Sequence, residues 1–167
     1  NFKVHDILAS FRRVIIEDST CFRLPSALFD FFPGARLPHG RKASGRVQLR
    51  IDLKQHNYEA IALKSYCQND LQFAEDIVHT LQNGDLIIRD LGYFVVPVFS
   101  KIMAQGAYFL SRLNLSTHVL SPENERIIDL VAFLKKKEQQ GIRNVDMPVL
   151  LSYKHRIPVR FVAIKLT

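Results

Sequence analysis

The sequence predicts an α/β fold in which a mixed five-stranded sheet is flanked by helices and followed by a β-rich segment. Three observations support this prediction. Apolar or alternating runs of strand length recur along the chain, two stretches have helical spacing, and glycine or proline separates the elements. Over residues 1–113 the order is β-β-β-α-β-α-β, which hairpins and right-handed crossovers fold into a mixed sheet. Residues 114–167 form the β-rich part.

The first three strands are predicted from an apolar run and from strict alternation. Residues 13–18 are an apolar run ending in two carboxylates, the second being Asp18, which is typical of a buried strand that emerges at a polar site. Residues 47–53 alternate, so this strand is half-buried, and residues 59–65 form its hairpin partner. Proline and glycine over residues 25–40 predict a loop.

Two helices and two further strands complete the predicted sheet layer. A helix is predicted over residues 71–81, where apolar residues follow a capping Asn-Asp pair at helical spacing. The fourth strand, residues 85–90, ends in Asp90. A second helix over residues 94–105 has proline in its first turn and glycine just past its end. Residues 107–113 are the fifth strand.

The segment from 114 to 167 has a different texture. A short strand is predicted over residues 117–120, and residues 128–137 form a short helix or an amphipathic bend. Two strands, over residues 147–151 and 159–166, flank a polar turn. We expect this segment to be a separate, β-rich subdomain.

Composition limits the class of protein. The chain has 167 residues, 47% of them apolar and 23% charged, which is typical of a globular domain. No apolar run approaches the roughly 20 residues of a membrane-spanning helix, and the N-terminus lacks a secretory signal. Because the chain begins with Asn1 and stops within an apolar alternation, we expect it to be a piece of a longer protein.

Charge and cysteine content indicate the partner and the compartment. The net charge of +7 favours a polyanionic partner, with nucleic acid as the first choice. Cys21 and Cys67 are far apart and form no CxxC motif, which excludes a disulfide scaffold and a cysteine zinc site. They are expected to be reduced thiols of a cytoplasmic protein. The chain also lacks the zinc-hydrolase, phosphate-loop and dinucleotide-binding motifs.

The most informative residues are Asp18 and Asp90, each at the end of a predicted buried strand. Sites in mixed α/β sheets collect outside the carboxyl ends of strands, so the two carboxylates converge if their strands are neighbours. Two close carboxylates repel unless a cation lies between them, and Mg²⁺ prefers a few carboxylates with water and phosphate oxygens. The alternative is that Asp18 and Asp90 only cap the turns that follow them.

A basic stretch around the second strand is the next candidate site. Lys42, Arg46 and Arg50 belong to a run of six basic residues with a single acid, Asp52. A basic loop and strand beside a carboxylate pair would suit a phosphate backbone, in which case Lys42, Arg46 and Arg50 bind DNA. The alternative is that these residues form a solvated face of the hairpin.

Three blocks of the sequence resemble the DDE transposases of bacterial insertion sequences, most closely the insertion-sequence-four family. The order and spacing of the blocks match, and so do Lys42-Ala43 before the second strand and a Pro-Val-Arg near the end. The blocks are VIIEDST at 14–20, GDLIIRDLGYF at 84–94 and GAYFLSRL at 106–113.

This resemblance implies a ribonuclease H-like catalytic core over residues 1–113 and a β-rich insertion subdomain over residues 114–167. In the family, two Asp and one Glu bind two Mg²⁺ ions, for which Mn²⁺ can substitute. The two Asp correspond to Asp18 and Asp90. The implied function is cut-and-paste transposition, in which double-stranded DNA at the element ends is cleaved and joined to a target. The resemblance also implies a dimer in the complete synaptic complex and a bacterial, cytoplasmic location.

The third carboxylate of the family lies on a helix after the insertion, in a Tyr-Arg-Glu-Lys signature that this sequence does not contain. We therefore expect the chain alone to have two-thirds of the metal site and little or no strand-transfer activity. Two other functions stay open at this point. They are a non-catalytic nucleic-acid-binding module that uses the basic hairpin, and another ribonuclease H-like nuclease, which the fold alone does not distinguish.

Overall fold

A computed structural model describes residues 7–34, 42–67 and 73–166. The chain divides into two compact units, Asn1–Arg112 and Leu113–Thr167. The first unit contains the five-stranded sheet and the α-helix Val96–Ala104, and the second contains a three-stranded sheet and the α-helix Leu130–Gln139. Within the described residues, neither helix has the length and apolar character that a membrane-spanning helix requires.

The sheet of the first unit is mixed and has the strand order β3-β2-β1-β4-β5. The first three strands are antiparallel neighbours, whereas β4 and β5 run parallel to β1. This arrangement confirms the predicted mixed sheet, because hairpins give the antiparallel pairs and crossovers give the parallel ones. The strands are β1 (Val14–Leu24), β2 (Ala43–Asp52), β3 (Asn57–Ser65), β4 (Leu86–Arg89) and β5 (Tyr108–Ser111).

The first strand is longer than predicted, and the prediction that it ends at Asp18 is wrong. β1 pairs with β4 over Val14–Glu17 and continues beside β2 as far as Leu24. Residues 18–24 are polar or exposed at most positions, so they lack the apolar run used to define the strand. Hydrogen bonding to β2, rather than burial, keeps them extended.

The two predicted helices of the first unit have different outcomes. The second is present as α1 (Val96–Ala104), with Pro97 in its first turn. It is followed by Gly106 at φ +71°, a conformation that glycine adopts without strain. The first was predicted over residues 71–81. Residues 71 and 72 lie outside the described residues, and Phe73 is helical. Turns follow over residues 74–77, and then a 3-10 helix at Val78–Thr80.

The core of the first unit lies between the sheet and α1. Phe99 of α1 is completely buried and stacks on Phe109 of β5, with ring centroids 4.2 Å apart. The ring of Phe94 meets Phe99 edge-on at 5.1 Å. Ile15 and Ile87 are completely buried partners on β1 and β4. These contacts hold in place β1, which contains Asp18, and β4, which is followed directly by Asp90.

The second unit is an antiparallel sheet of order β6-β7-β8 with one helix. The strands are β6 (Val119–Leu120), β7 (Asn144–Leu151) and β8 (Ile157–Ile164), and the helix is α2 (Leu130–Gln139). The side chain of Asp129 accepts a hydrogen bond of 3.0 Å from the amide of Ala132, which is an N-cap contact. The β-rich character predicted for this segment is therefore present.

Candidate active site

Asp18 and Asp90 occupy equivalent positions on two neighbouring parallel strands. The last pair in the β1–β4 ladder is Glu17 with Arg89, and Asp18 and Asp90 are the next residue of each strand. Asp90 keeps an extended backbone, with φ −76° and ψ 167°, before a 3-10 turn at Leu91–Tyr93. Both aspartates are exposed. The topology therefore brings the two predicted residues to one edge of the sheet.

Arg112 lies in the same row and was not predicted as a site residue. Ser111 of β5 pairs with Arg89, so Arg112 is the next residue on the strand beside Asp90. Its Nε donates a 3.0 Å hydrogen bond to Asp90 Oδ1. The backbone amide of Leu91 and then the Arg112 guanidinium lower the pKa of Asp90 below its usual value. The fifth strand was predicted over residues 107–113, so Arg112 lay inside it and strand-end position did not indicate a site residue there.

Behind this row, three charged side chains meet on the opposite face of the sheet. Glu17 Oε1 accepts from Arg50 Nε at 2.6 Å, and Glu17 Oε2 accepts from Arg89 Nε at 2.7 Å. Arg89 Nη2 lies 2.5 Å from the same Oε2. These residues are called the Glu17 cluster below. Each strand alternates its faces, so the cluster and the aspartates point in opposite directions.

The three predicted DNA-binding residues have different environments. Lys42 is exposed, immediately before β2. Arg46 is buried, and its guanidinium lies over the ring of Tyr66 at 5.8 Å from the centroid. Arg50 belongs to the Glu17 cluster and is 16% exposed. Only Lys42 of the three thus has the exposure expected of a residue on the DNA-facing surface, and DNA binding by all three stays a prediction.

Asp18 and Asp90 have the chemistry of divalent-metal ligands, and metal binding by this pair stays a prediction. Exposed aspartate oxygens are suitable ligands for Mg²⁺, which often binds to only one or two carboxylates. Asp18 also accepts a 2.7 Å hydrogen bond from the amide of Ser19, which orients its carboxylate. Within residues 7–34, 42–67 and 73–166, no group of three or more His, Cys, Asp or Glu could hold a metal ion. Asp18 and Asp90 therefore fit a metal that takes its other ligands from elsewhere.

Comparison with known proteins identifies the family of this chain. The sequence model of the transposase DDE domain matches residues 9–159, which include both aspartates and most of the second unit. The chain belongs to the DDE transposase family. This membership confirms the resemblance and, together with the mixed sheet, the ribonuclease H-like fold that it implied.

Among curated DDE transposases, the chain is 33% identical over 148 residues to the transposase for insertion sequence element IS231B of Bacillus thuringiensis subsp. berliner. That match covers 87% of this chain and 30% of the relative. The identity to the IS231F transposase of B. thuringiensis subsp. israelensis is 34% over 115 residues, covering 69% of this chain and 24% of the relative. The chain therefore spans between a quarter and a third of the length of these transposases.

One of the solved structures to which the chain is similar is the Mos1 transposase paired-end complex with left transposon end. The match has a TM-score of 0.43 and 11% sequence identity, and it covers 83% of this chain and 50% of the Mos1 chain.

Proposed function

We propose that this chain is the part of an insertion-sequence transposase that carries two of the three metal-binding carboxylates, and that the complete protein cleaves and joins DNA by phosphoryl transfer. The observation that carries the proposal is the register of Asp18 and Asp90, which follow the last pair of adjacent parallel strands in a chain of the DDE family. Residues 1–113 then form the catalytic core and residues 114–167 the insertion subdomain.

Asp18 and Asp90 are the proposed ligands of a divalent cation. We propose Mg²⁺, two ions in the complete enzyme, with Mn²⁺ as a substitute. When bound, such ions polarise phosphate oxygens and stabilise both the attacking and the leaving oxygen in an in-line displacement. The chain's own contribution is to hold the two carboxylates side by side, directly after the last pair of the β1–β4 ladder. The hydrogen bonds from the Leu91 amide and from Arg112 lower the pKa of Asp90.

Double-stranded DNA is the proposed substrate and partner. The net charge of +7 favours a polyanion, and Lys42 is an exposed cation at the start of the strand that pairs with β1. Arg46 and Arg50 have partners within the fold, so we assign the first phosphate contact to Lys42. A reaction on chromosomal DNA belongs in the bacterial cytoplasm, and a dimer is proposed for the complex that joins two element ends.

The third carboxylate is proposed to come from outside this chain. This proposal is based on the Tyr-Arg-Glu-Lys signature of the family, which this sequence does not contain. It agrees with the lack of any group of three or more such ligands among the described residues. With one ligand missing, the chain should bind a divalent cation weakly and show little or no strand transfer by itself.

Metal binding by the chain provides the first test. Titration with Mn²⁺, followed by the electron paramagnetic resonance signal of the free ion, should show one weak site. Asp18→Asn and Asp90→Asn should each weaken that site at least tenfold. Asp146→Asn is the matched control, because Asp146 is an exposed aspartate paired with an arginine in the second unit. Equal affinity in all four proteins would overturn the assignment.

The reaction itself is tested in a protein extended to the length of its relatives. Wild-type protein with Mg²⁺ should cleave DNA at element ends and join those ends to target DNA, while both aspartate variants should do neither. Sequencing the products distinguishes the other readings. Nicks without joined ends would indicate another nuclease, and DNA binding without cleavage would indicate a binding module.

A further inference from the structure

The Glu17 cluster forms a continuous charged row across three strands. Arg50 of β2 pairs in register with Glu17 of β1, which pairs in register with Arg89 of β4. Each carboxylate oxygen of Glu17 accepts from one arginine. The side chain of Glu17 is 3% exposed and that of Arg89 is 1% exposed. One buried anion is thus shared between two cations.

Stability alone is a weak reason for this arrangement. Moving charged groups out of water is expensive, and a buried ion pair rarely stabilises a protein more than well-packed apolar residues would. What a buried charged network provides instead is a defined geometry, because any displacement leaves a charge without its partner.

That geometry lies directly behind the candidate site. Glu17 precedes Asp18 and Arg89 precedes Asp90, so the ion pair joins the two residues that flank the proposed ligands. β4 pairs with β1 over four residues, and Arg89 is the last of them before the chain turns at Leu91. The position of Asp90 relative to Asp18 therefore depends on Glu17 and Arg89, the last residue pair between β1 and β4.

We propose that Glu17 and Arg89 are positioning residues that set the separation of the Asp18 and Asp90 carboxylates for a divalent cation, with Arg50 orienting Glu17. This inference rests on the proposed function, since it assumes that the two aspartates bind the cation. Neither Glu17 nor Arg89 contacts the substrate or the metal in this assignment, because both side chains point to the opposite face of the sheet.

The experiment compares Mn²⁺ affinity in Arg89→Met, Arg89→Lys and Arg12→Met. Arg89→Met keeps much of the side-chain volume and leaves Glu17 paired with Arg50. Substituting a residue that supports metal ligands commonly lowers metal affinity about 10- to 100-fold. We therefore expect Arg89→Met to lower Mn²⁺ affinity about tenfold or more. Arg89→Lys keeps the charge but not the forked geometry, and should recover part of the affinity.

A purely electrostatic role of Arg89 and a positioning role predict opposite changes in Mn²⁺ affinity for Arg89→Met. Removing a positive charge near a cation site strengthens cation binding by Coulomb's law, whereas losing the positioning contact weakens it. Arg12→Met is the matched control, because Arg12 pairs with Asp85 at the other end of the same strand pair. It should lower the denaturant midpoint without changing Mn²⁺ affinity.

The outcomes separate this inference from the proposed function. If wild type shows no Mn²⁺ site that depends on Asp18 and Asp90, the proposed function fails first. If that site exists but both Arg89 variants bind Mn²⁺ within twofold of wild type, only the positioning role is overturned. It is also overturned if Arg12→Met weakens binding equally, since affinity would then follow stability. If Arg89→Met does not fold, Arg89→Lys decides, with a loss of about threefold or more expected.

Discussion

The guanidinium of Arg112, which follows β5, donates a hydrogen bond to the carboxylate of Asp90, which follows β4. Arg112 Nε lies 3.0 Å from Asp90 Oδ1. Both side chains are at least half exposed. Arg112 therefore already donates a hydrogen bond to one carboxylate oxygen of Asp90, which we propose as a metal ligand. A divalent cation and Arg112 would compete for that oxygen, so Arg112 should tune the affinity of the site.

The Arg112→Met variant tests this competition. An exposed ion pair is worth little, so we expect Mn²⁺ affinity to rise only about two- to fivefold. The pKa of Asp90 should also rise toward its ordinary value, because one of the groups that lower it is lost. Mn²⁺ titration and carboxyl NMR measure the two effects. Arg160→Met breaks a comparable exposed pair with Asp146 and should change neither. Weaker binding in Arg112→Met would mean that Arg112 orients Asp90 instead.

A second prediction concerns the buried carboxylate of Asp85. It is fully buried and accepts hydrogen bonds from Arg12 at 2.8 Å, Arg13 at 2.7 Å and the amide of Gln82 at 2.9 Å. Asp85→Asn removes the charge that both arginines pair with, and should lower the free energy of unfolding by about 3 kcal/mol. Urea unfolding at pH 7 measures this change. Asp146→Asn, at an exposed pair, should change stability by less than about 1 kcal/mol.

The same residue predicts a pH dependence. Burial acts to raise the pKa of Asp85, but the hydrogen bonds from Arg13, Arg12 and Gln82 outweigh it and the net pKa is lowered. The unfolded value is about 3.9. The stabilisation is therefore complete above that pH and is lost as the pH falls toward the folded-state pKa. Wild type should lose stability more steeply than Asp85→Asn below about pH 4. Parallel stability curves would contradict this prediction.

The stack of Phe99 on Phe109 predicts a large effect of truncation. Phe99→Ala removes a completely buried ring from the contact between α1 and the sheet, and should destabilise the first unit by about 3–5 kcal/mol. Denaturant unfolding monitored by circular dichroism measures the loss. Phe31→Ala is the control, because Phe31 is 76% exposed and its truncation should cost less than about 0.5 kcal/mol. A small effect at Phe99 would mean that the helix–sheet contact is not a major part of the core.

Lys42 and Arg46 should differ in how they affect DNA binding. Lys42→Ala should weaken binding to any duplex sequence and reduce the slope of log affinity against log salt by about 0.9, the value for one phosphate contact. Arg46→Ala should mainly reduce stability, because Arg46 is buried beside Tyr66. Fluorescence anisotropy at several salt concentrations measures the slope. Lys101→Ala, at an exposed lysine of α1, is the control. An unchanged slope in Lys42→Ala would remove Lys42 from the interface.

The sequence predicts elements well where one physical signal dominates. The helix α1 is bounded by Pro97 and Gly106, whose backbone preferences limit where a helix begins and ends. β4 is an apolar run between turn residues. The alternation over residues 47–53 located β2, although burial along Ala43–Asp52 does not alternate. In the second unit, the predicted helix is present at Leu130–Gln139 with a capping aspartate.

The same signals fail where pairing or local turns decide the structure. The outer half of β1 is extended because β2 pairs with it, although its residues are mostly polar and exposed. In the stretch predicted as the first helix, Ala74, Ile77 and Leu81 are buried at helical spacing, although the first two lie in turns and Leu81 follows the 3-10 helix. Periodicity shows which side chains face the core, but it does not distinguish a helix from consecutive turns.

The sequence predicted the two aspartates of the candidate site but not the Glu17 cluster behind them. Strand-end position was enough to select Asp90, whereas Asp18 lies inside β1 and comes beside Asp90 because β1 and β4 are neighbouring parallel strands. The partners of Glu17 required the strand register, because residues 33 and 72 positions away meet only after the sheet forms. A glutamate and an arginine inside two apolar runs, each directly before a site aspartate, was the signal that could have indicated the Glu17 cluster.

The unequal pairing of β1 has a consequence for the dynamics of the site. Within the described residues, β1 is a central strand over Val14–Glu17, with β2 and β4 on either side, and it is bordered by β2 alone from Asp18 to Leu24. Amide hydrogens in the inner part should exchange with solvent slowly, through cooperative opening of the sheet, while those in the outer part exchange through local fraying. Asp18 is the first residue past this boundary, so one of the two proposed ligands lies where β1 changes from pairing on both sides to pairing on one side.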